Sequence, residues 1–201
     1  MILSSRHRDA LQELFNIGAG RAAAELNEMI ENAIELHVPD LRVVSSLDND
    51  GLWDSAYAES FAAVQLPFSG TFGGKALLVF ASESASKLVS LLTGEDIDSP
   101  ALDSLRGGTL TEVGNILLNS VMGSIANVIS GDLEYRVPTY YEDVASRMMS
   151  RETTADSTII LARTRFTVAS LAIEGEISIV FAVGAFEELL KAVDAIEGAD
   201  S

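Results

Sequence analysis

Apolar residues recur every three or four positions over two long stretches of the chain, a spacing typical of helices that pack on a core. The first stretch predicts a helix from about Ser5 to about Asn32, capped by Ser4 or Ser5. The second predicts a helix that runs from Leu110 to an end at Gly131. The two apolar stripes comprise Leu11, Leu14, Phe15, Ala22, Leu26 and Met29, and Leu110, Val113, Leu117, Val121, Ile125 and Val128.

Shorter apolar runs around these helices predict β-strands and short helices. In the first half of the chain they are strands at 35–38 and 41–45 beside Pro39, a hairpin of 61–68 with 75–81, and a helix at 84–92 that Gly94 ends. In the second half they are a strand at 134–137 before Pro138, a short helix at about 144–149, strands at 158–168 and 176–183, and a helix at 186–196. The stretches 46–60, 93–107 and 139–157 are rich in polar, Gly or Pro residues and are expected to be mainly connections. An α+β fold of antiparallel strands and helices follows from this order.

The chain also repeats itself. A carboxylate, an amide and a proline recur 99 positions later: Glu13, Asn16 and Pro39 as Glu112, Asn115 and Pro138. Another set recurs at an offset of 101: Gly74, Phe80 and Leu88 as Gly175, Phe181 and Leu189. Because repeats usually preserve core positions first, polar residues that keep register indicate a function. We expect one domain over 1–201, made of two halves, 1–98 and 99–201.

Helical geometry predicts where the repeated polar residues point. At about 100° per residue, Glu13 and Asn16 fall roughly opposite Leu11, and Glu112 and Asn115 lie in the same way on the second helix. Both pairs are expected to face away from the core, which argues against side chains that satisfy buried backbone groups. A carboxylate and an amide one turn apart are suited to pair with a partner's cation and to orient a water molecule.

The composition and charge of the chain exclude several classes of function. Thirty acidic against thirteen basic residues give a net charge of −17, which opposes binding to nucleic acid or anionic membranes. No apolar run approaches the roughly 20 residues of a membrane span, no secretory signal is evident, and cysteine is absent. We expect a cytoplasmic protein. The shortage of lysine fits either adaptation to high salt or an ordinary acidic protein.

The repeated residues resemble a known signature. Asp9-x3-Glu13-x2-Asn16-x22-Pro39 is similar to that of the CheC/CheX/FliY phosphatases of bacterial and archaeal chemotaxis: Asp or Ser, three residues, Glu, two residues, Asn, twenty-two residues, Pro. The second half matches at Glu112, Asn115 and Pro138. Gly108 stands where the signature has Asp or Ser. Two signatures without a further domain are typical of CheC-type members.

The resemblance implies a fold in which two pseudo-twofold-related halves share one sheet, with the two long helices on one face. It also implies hydrolysis of the aspartyl phosphate on CheY, the chemotaxis response regulator. The family's Asn enters the regulator's active site and positions the attacking water, while its Glu pairs with the regulator's lysine. By this resemblance Asn16 and Asn115 orient water, and Glu13 and Glu112 hold the lysine. An acyl phosphate is already reactive, so no enzyme nucleophile is required.

The resemblance also bears on cofactors and partners. The Mg²⁺ belongs to CheY, so no cofactor of the chain's own is expected. CheD, a receptor deamidase, is the second expected partner, and fused halves make a monomer the expectation. Because Gly108 lacks the signature's side chain, Asn16→Ala is expected to cost more activity than Asn115→Ala.

Other interpretations of the sequence compete with this one. A non-catalytic module could bind the regulator or CheD and act by sequestration. Gly18-x-Gly20-x-x-Ala23 fits a loose dinucleotide fingerprint, but small residues that allow close approach of a helix or a partner explain it better. The segment 46–57 resembles a calcium loop but has Tyr57 where a bidentate Glu is needed. His7 and His37 fall on different elements and are expected to be a solvated helix residue and a strand residue.

Overall fold

Four helices and seven strands make up most of what the computed structural model describes, residues 4–29, 33–45, 60–128, 131–143, 158–168, 171–182 and 184–199. The helices are α1 (Ser5–Met29), α2 (Ser82–Thr93), α3 (Pro100–Val128) and α4 (Ala185–Ala199). The strands are β1 (Ile34–Ser45), β2 (Phe61–Gly70), β3 (Gly74–Ala81), β4 (Leu133–Tyr135), β5 (Thr139–Asp143), β6 (Thr158–Val168) and β7 (Leu171–Phe181). The α+β class is therefore as predicted.

The seven strands form one antiparallel sheet in the order β1-β6-β7-β3-β2-β4, with β5 also paired to β2. The first strand of each half pairs with the hairpin of the other half: β1 pairs with β6, and β4 and β5 pair with β2. Exchanging the two halves therefore gives the same strand order, counted from the opposite edge of the sheet. Gly74 pairs with Phe181 near the centre of this arrangement. The matched residues Gly175 and Phe80 also touch, since a Cβ at Gly175 would lie 2.5 Å from the Phe80 ring. The sheet thus has the predicted pseudo-twofold organisation.

Helices α1 and α3 pack against each other and share one buried core with the sheet. Gly18 lies at their contact, where a Cβ would come within 2.5 Å of the Cα of Val121. The glycine-rich segment is therefore internal to α1 and is not a dinucleotide loop. Gly18 serves close helix packing, whereas a Cβ at Gly20 would meet nothing within 4 Å. No helix in the described part of the chain has both the length and the apolarity needed to cross a membrane.

Several predicted boundaries are confirmed. The Oγ atom of Ser4 caps α1 by accepting a hydrogen bond from the His7 amide at 3.1 Å. Gly94 ends α2 with φ at 74°, a left-handed conformation that glycine adopts without strain. Strand β6 and helix α4 lie where the apolar pattern placed them.

Other boundaries were wrong. Helix α3 begins at Pro100, so much of the expected seam 93–107 is helical. The Ser99 hydroxyl accepts from the Ala101 amide, and proline suits the first helical position. Thr139–Asp143 forms β5 instead of a connection, since its Thr and Tyr residues favour strands. Strand β7 also starts earlier than predicted. The predicted helix at 144–149 and the calcium-like segment lie outside the described residues.

Candidate functional site

Pro39 lies at a bulge in β1, which is an edge strand. The register with β6 runs from His37 opposite Arg165 to Asp40 opposite Arg163, so Val38 and Pro39 together oppose one residue. Proline cannot donate a ladder hydrogen bond, and an edge bulge tolerates that loss. The two predicted strands around Pro39 are therefore a single strand with a bulge, at the predicted sheet edge.

The amide of Asn16 is hydrogen-bonded to this bulge. Its Oδ1 accepts from the Val38 amide at 2.9 Å, and its Nδ2 donates to the Val38 carbonyl at 3.2 Å and to the Gln12 carbonyl at 3.0 Å. The Gln12 Nε2 donates to the carbonyls of Val38 and Pro39, each at 3.1 Å. Two side chains one turn apart on α1 therefore satisfy the backbone where β1 leaves its register.

This contact corrects the expectation that Asn16 faces solvent. The helical wheel gave α1 one buried face, but β1 packs along the flank of the helix. The side chain is half-buried and does what the wheel argument had excluded, satisfying backbone groups. The spacing of 22 residues between Asn16 and Pro39 thus has a structural explanation, because it brings Val38, the residue before the proline, back to Asn16.

The second half differs at the same place. Pro138 lies between β4 and β5, where the Arg136 amide donates to the Pro67 carbonyl at 3.0 Å. Val137 corresponds to Val38 at the offset of 99, yet Val137 is 82% exposed and Val38 is 0% exposed. The backbone that binds Asn16 in the first half thus has no buried counterpart at Val137.

Asn115 is therefore held differently from Asn16. Its Oδ1 accepts a hydrogen bond from the Asn119 Nδ2 at 2.7 Å, one turn along α3. The half-buried side chain lines an open groove of about 400 Å³ between α3 and α1. We call this the Asn115 groove; its wall also includes Arg21, Glu25, Asn119 and Asn127. The Asn115 Nδ2 is not hydrogen-bonded to any residue that the structure describes.

The carboxylates of the two signatures meet the sequence-based expectation. Glu13 and Glu112 are both exposed, one turn before their asparagines, and so is Asp9. Gly108, the departure from the signature, is exposed on α3, and a Cβ built there would meet nothing within 4 Å. Space is therefore not the reason for a glycine at this position.

Each long helix is tied to the rest of the molecule just before its signature. His7 Nε2 lies 2.8 Å from the Asp194 Oδ1 of α4. The expectation that His7 is simply a solvated residue was therefore wrong. Its counterpart at the offset of 99 is Arg106, whose Nε lies 3.1 Å from a Glu142 carboxylate oxygen. The Arg106 guanidinium also donates to the Ser86 hydroxyl at 3.1 Å. These contacts connect α1 to α4 and α3 to β5 shortly before each signature.

Tyr140 completes the network around Arg106. Its hydroxyl donates a hydrogen bond to Glu142. Burial, with the Glu142 hydrogen bond as a further cause, raises the pKa of Tyr140 well above its usual value. Tyr140 therefore stays protonated and holds Glu142 beside Arg106 at any physiological pH.

Gln12, Arg21 and Asn119 were given no role from the sequence. Asn119 follows Asn115 by one helical turn and so falls on the same helix face, which was its available signal. Gln12 and Arg21 gave none, because β1 and α3 bring their partners from distant parts of the chain. His37 is an exposed strand residue, as expected, and no group of three or more metal-binding side chains occurs among the described residues.

Proteins of known function that are similar in sequence include two from Bacillus subtilis, although no protein-family model matches the chain. The chain is 25% identical over 138 residues to the flagellar motor switch phosphatase FliY of Bacillus subtilis, which covers 68% of the chain and 35% of FliY. It is 24% identical over 151 residues to the CheY-P phosphatase CheC of the same organism, which covers 74% of the chain and 72% of CheC. The chain thus spans about a third of FliY and most of CheC.

Solved structures share the fold. Thermotoga maritima FliY matches with a TM-score of 0.73 at 15% identity, over 97% of this chain and 99% of that one. CheX from Borrelia burgdorferi, solved in a complex with CheY, BeF3 and Mg²⁺, matches with a TM-score of 0.52 at 19% identity, over 84% of this chain and 96% of that one. A FliG–FliM complex from H. pylori gives a TM-score of 0.58 at 14% identity, over 94% of this chain and 100% of the matched one. At these identities, the likeness concerns the fold alone.

Proposed function

We propose that the chain, which is similar in sequence to FliY and CheC, is a phosphatase of the CheC/CheX/FliY type that hydrolyses the aspartyl phosphate of the response regulator CheY. The observation that carries this proposal is the repeated pair of an exposed Glu and an Asn one turn apart on each long helix. The signatures lie on α1 and α3, the two long helices, which pack against each other. A rigid helix offers such a pair to a partner's active site without losing its own geometry.

The chemistry requires little of the chain beyond position. A water oxygen attacks phosphorus in line, the bond to the aspartyl oxygen breaks, and inorganic phosphate and a free carboxylate leave with one proton released. Asn115 would orient that water, because its Nδ2 has donors to offer while Asn119 holds its Oδ1. The exposed Glu112 would pair with the regulator's lysine and so align the regulator. Mg²⁺ would be held by CheY.

The first signature is less ready for this role. Both donors of the Asn16 amide are used by the carbonyls of Gln12 and Val38. Its Oδ1 keeps one lone pair, so Asn16 would orient water only as an acceptor unless it leaves Val38. We therefore propose that the second half contributes most of the activity, in the reverse of the order expected from Gly108.

The test measures the decay of phosphorylated CheY with the wild-type chain and with the double variant Asn16→Ala/Asn115→Ala. We expect the wild type to accelerate decay and the double variant to lose that acceleration while it still binds CheY. Asn27→Ala is the matched control, since it removes an α1 amide that also binds the backbone of β1 but lies outside the signatures and the Asn115 groove. Unchanged decay with a wild-type chain that binds CheY would exclude the enzyme.

A non-catalytic binding module is the second candidate function. The engagement of Asn16 with β1 favours it, because a binder needs no free amide. The same fold also occurs in FliM, which is solved in a complex with FliG. CheD remains a proposed second partner on the resemblance alone, and co-elution of the two purified proteins tests it.

A further inference from the structure

The Asn115 groove is built from both halves of the chain. Asn115, Asn119 and Asn127 come from α3, whereas Arg21 and Glu25 come from α1. A site predicted from one signature thus has a wall supplied by the other half. This placement depends on the close contact between Gly18 of α1 and Val121 of α3. Gly18 lies one turn before Arg21.

Arg21 alone is cationic among the described residues that line this groove. Its side chain is exposed, and no ion pair joins it to any residue that the structure describes. Guanidinium presents a planar fork of donors that suits the oxygens of a phosphoryl group. Arg21 is therefore available for an anionic ligand brought next to Asn115.

The charge of the whole molecule makes a cation at this place important. With a net charge of −17, the chain repels a partner that carries a phosphoryl group. Within the groove, Arg21 opposes that repulsion where the ligand must come closest. Glu25 lies one turn further along α1 and favours an orientation in which the anion lies nearer to Arg21.

The second half has no cation at the position that corresponds to Arg21. At the offset of 99, Arg21 corresponds to Ser120, so a hydroxyl replaces the guanidinium at the equivalent position of α3. The amide partner Asn119 likewise corresponds to Gly20. The two signatures therefore differ in their surroundings as well as in the hydrogen bonds of their asparagines.

We propose that Arg21 of the first half is a phosphoryl-binding residue of the second half's site, where it contacts the phosphoryl oxygens while Asn115 orients water. This inference rests on the proposed function for the identity of the partner. It assigns a composite site, with Arg21 from α1 and Glu112 and Asn115 from α3. The site cannot form from the second half alone.

The experiment compares binding to CheY with Mg²⁺ alone and to CheY with Mg²⁺ and beryllofluoride, which stands for the phosphoryl group. The variants are Arg21→Gln, Arg21→Lys and, as a charge-matched control, Lys191→Gln, an exposed cation on α4. We expect the wild type and Lys191→Gln to prefer the beryllofluoride form equally. Arg21→Gln is expected to reduce that preference about tenfold, and Arg21→Lys to retain part of it, because a single charged hydrogen bond contributes roughly 1.5 kcal/mol.

An equal preference in Arg21→Gln and Lys191→Gln would overturn the role of Arg21, as would a wild type with no preference. The decay assay separates this failure from that of the phosphatase. A wild type that accelerates decay while Arg21→Gln keeps its preference contradicts only the role of Arg21. A wild type that leaves decay unchanged, with a preference that Arg21→Gln loses, contradicts only the enzyme and supports Arg21 as a binding residue.

Discussion

The two signatures occupy equivalent positions on α1 and α3, and their asparagines nevertheless have different neighbours. Asn16 is hydrogen-bonded to the Val38 backbone in a continuous edge strand. Asn115 is hydrogen-bonded to Asn119 and lines an open groove. The difference arises from the strand that follows each helix: β1 bulges at Pro39 and stays paired, whereas the strand at Pro138 is split into β4 and β5.

This comparison shows that a repeated residue need not have a repeated role. The offset of 99 preserves the helix position of each amide, but it does not preserve the backbone beside it. Val38 and Val137 make the contrast measurable, since one is fully buried and the other is 82% exposed. We therefore propose that the first asparagine serves mainly structure and the second mainly function.

The largest expected effect on stability concerns these two valines. Val38→Ala should lower the free energy of unfolding by about 2 kcal/mol, because it removes two buried methyl groups from the core that also contains Phe15 and Leu41. Val137→Ala should change it by no more than about 0.5 kcal/mol, as for other exposed positions. Urea unfolding of both variants checks this, and equal losses would mean that the halves are alike at the proline.

A somewhat smaller effect is expected for the asparagines themselves. Asn16→Ala should cost about 1–2 kcal/mol in the free energy of unfolding, since the buried Val38 amide loses its acceptor while Gln12 still binds the carbonyl. Asn115→Ala removes one hydrogen bond beside a groove and should cost less than about 1 kcal/mol. The same urea measurement decides, and a larger loss in Asn115→Ala would refute the structural role of Asn16.

The smallest effect concerns Gly108. Gly108→Asp restores the signature carboxylate in open space, so it should not destabilise the fold. It should raise the rate of CheY-P decay by less than about fivefold, the scale of one exposed charge pair. Gly108→Asn is the matched control, because it gains the same helix propensity without the charge. A gain that both variants share would exclude an electrostatic cause.

Much of the fold was predictable because its elements carry local signals. The apolar stripes from Leu11 and Leu110 placed both long helices, and Gly94 marked the end of α2. Pro100 was taken as part of a connection although proline is favoured at the first position of a helix. The error at β5 was of the same kind, since the β-forming residues Tyr140 and Tyr141 were judged by the polar stretch around them.

The candidate site was predictable only in part. Repetition identified Glu13, Asn16, Glu112 and Asn115, and the exposure of both glutamates followed from helical geometry. The contact of Asn16 with Val38 was not predictable, because a helical wheel has no information about a strand that packs along its flank. Arg21 was missed for a related reason, since only the packing of α1 on α3 brings it beside Asn115.

The most direct test of the unequal halves is the decay rate of phosphorylated CheY with Asn16→Ala and Asn115→Ala, each measured well below its melting temperature. We expect Asn115→Ala to lose about tenfold or more of the acceleration, on the scale of a misplaced reacting group, and Asn16→Ala to lose less than about threefold. A greater loss in Asn16→Ala, or equal losses in the two variants, would contradict the assignment of Asn16 to structure and Asn115 to catalysis.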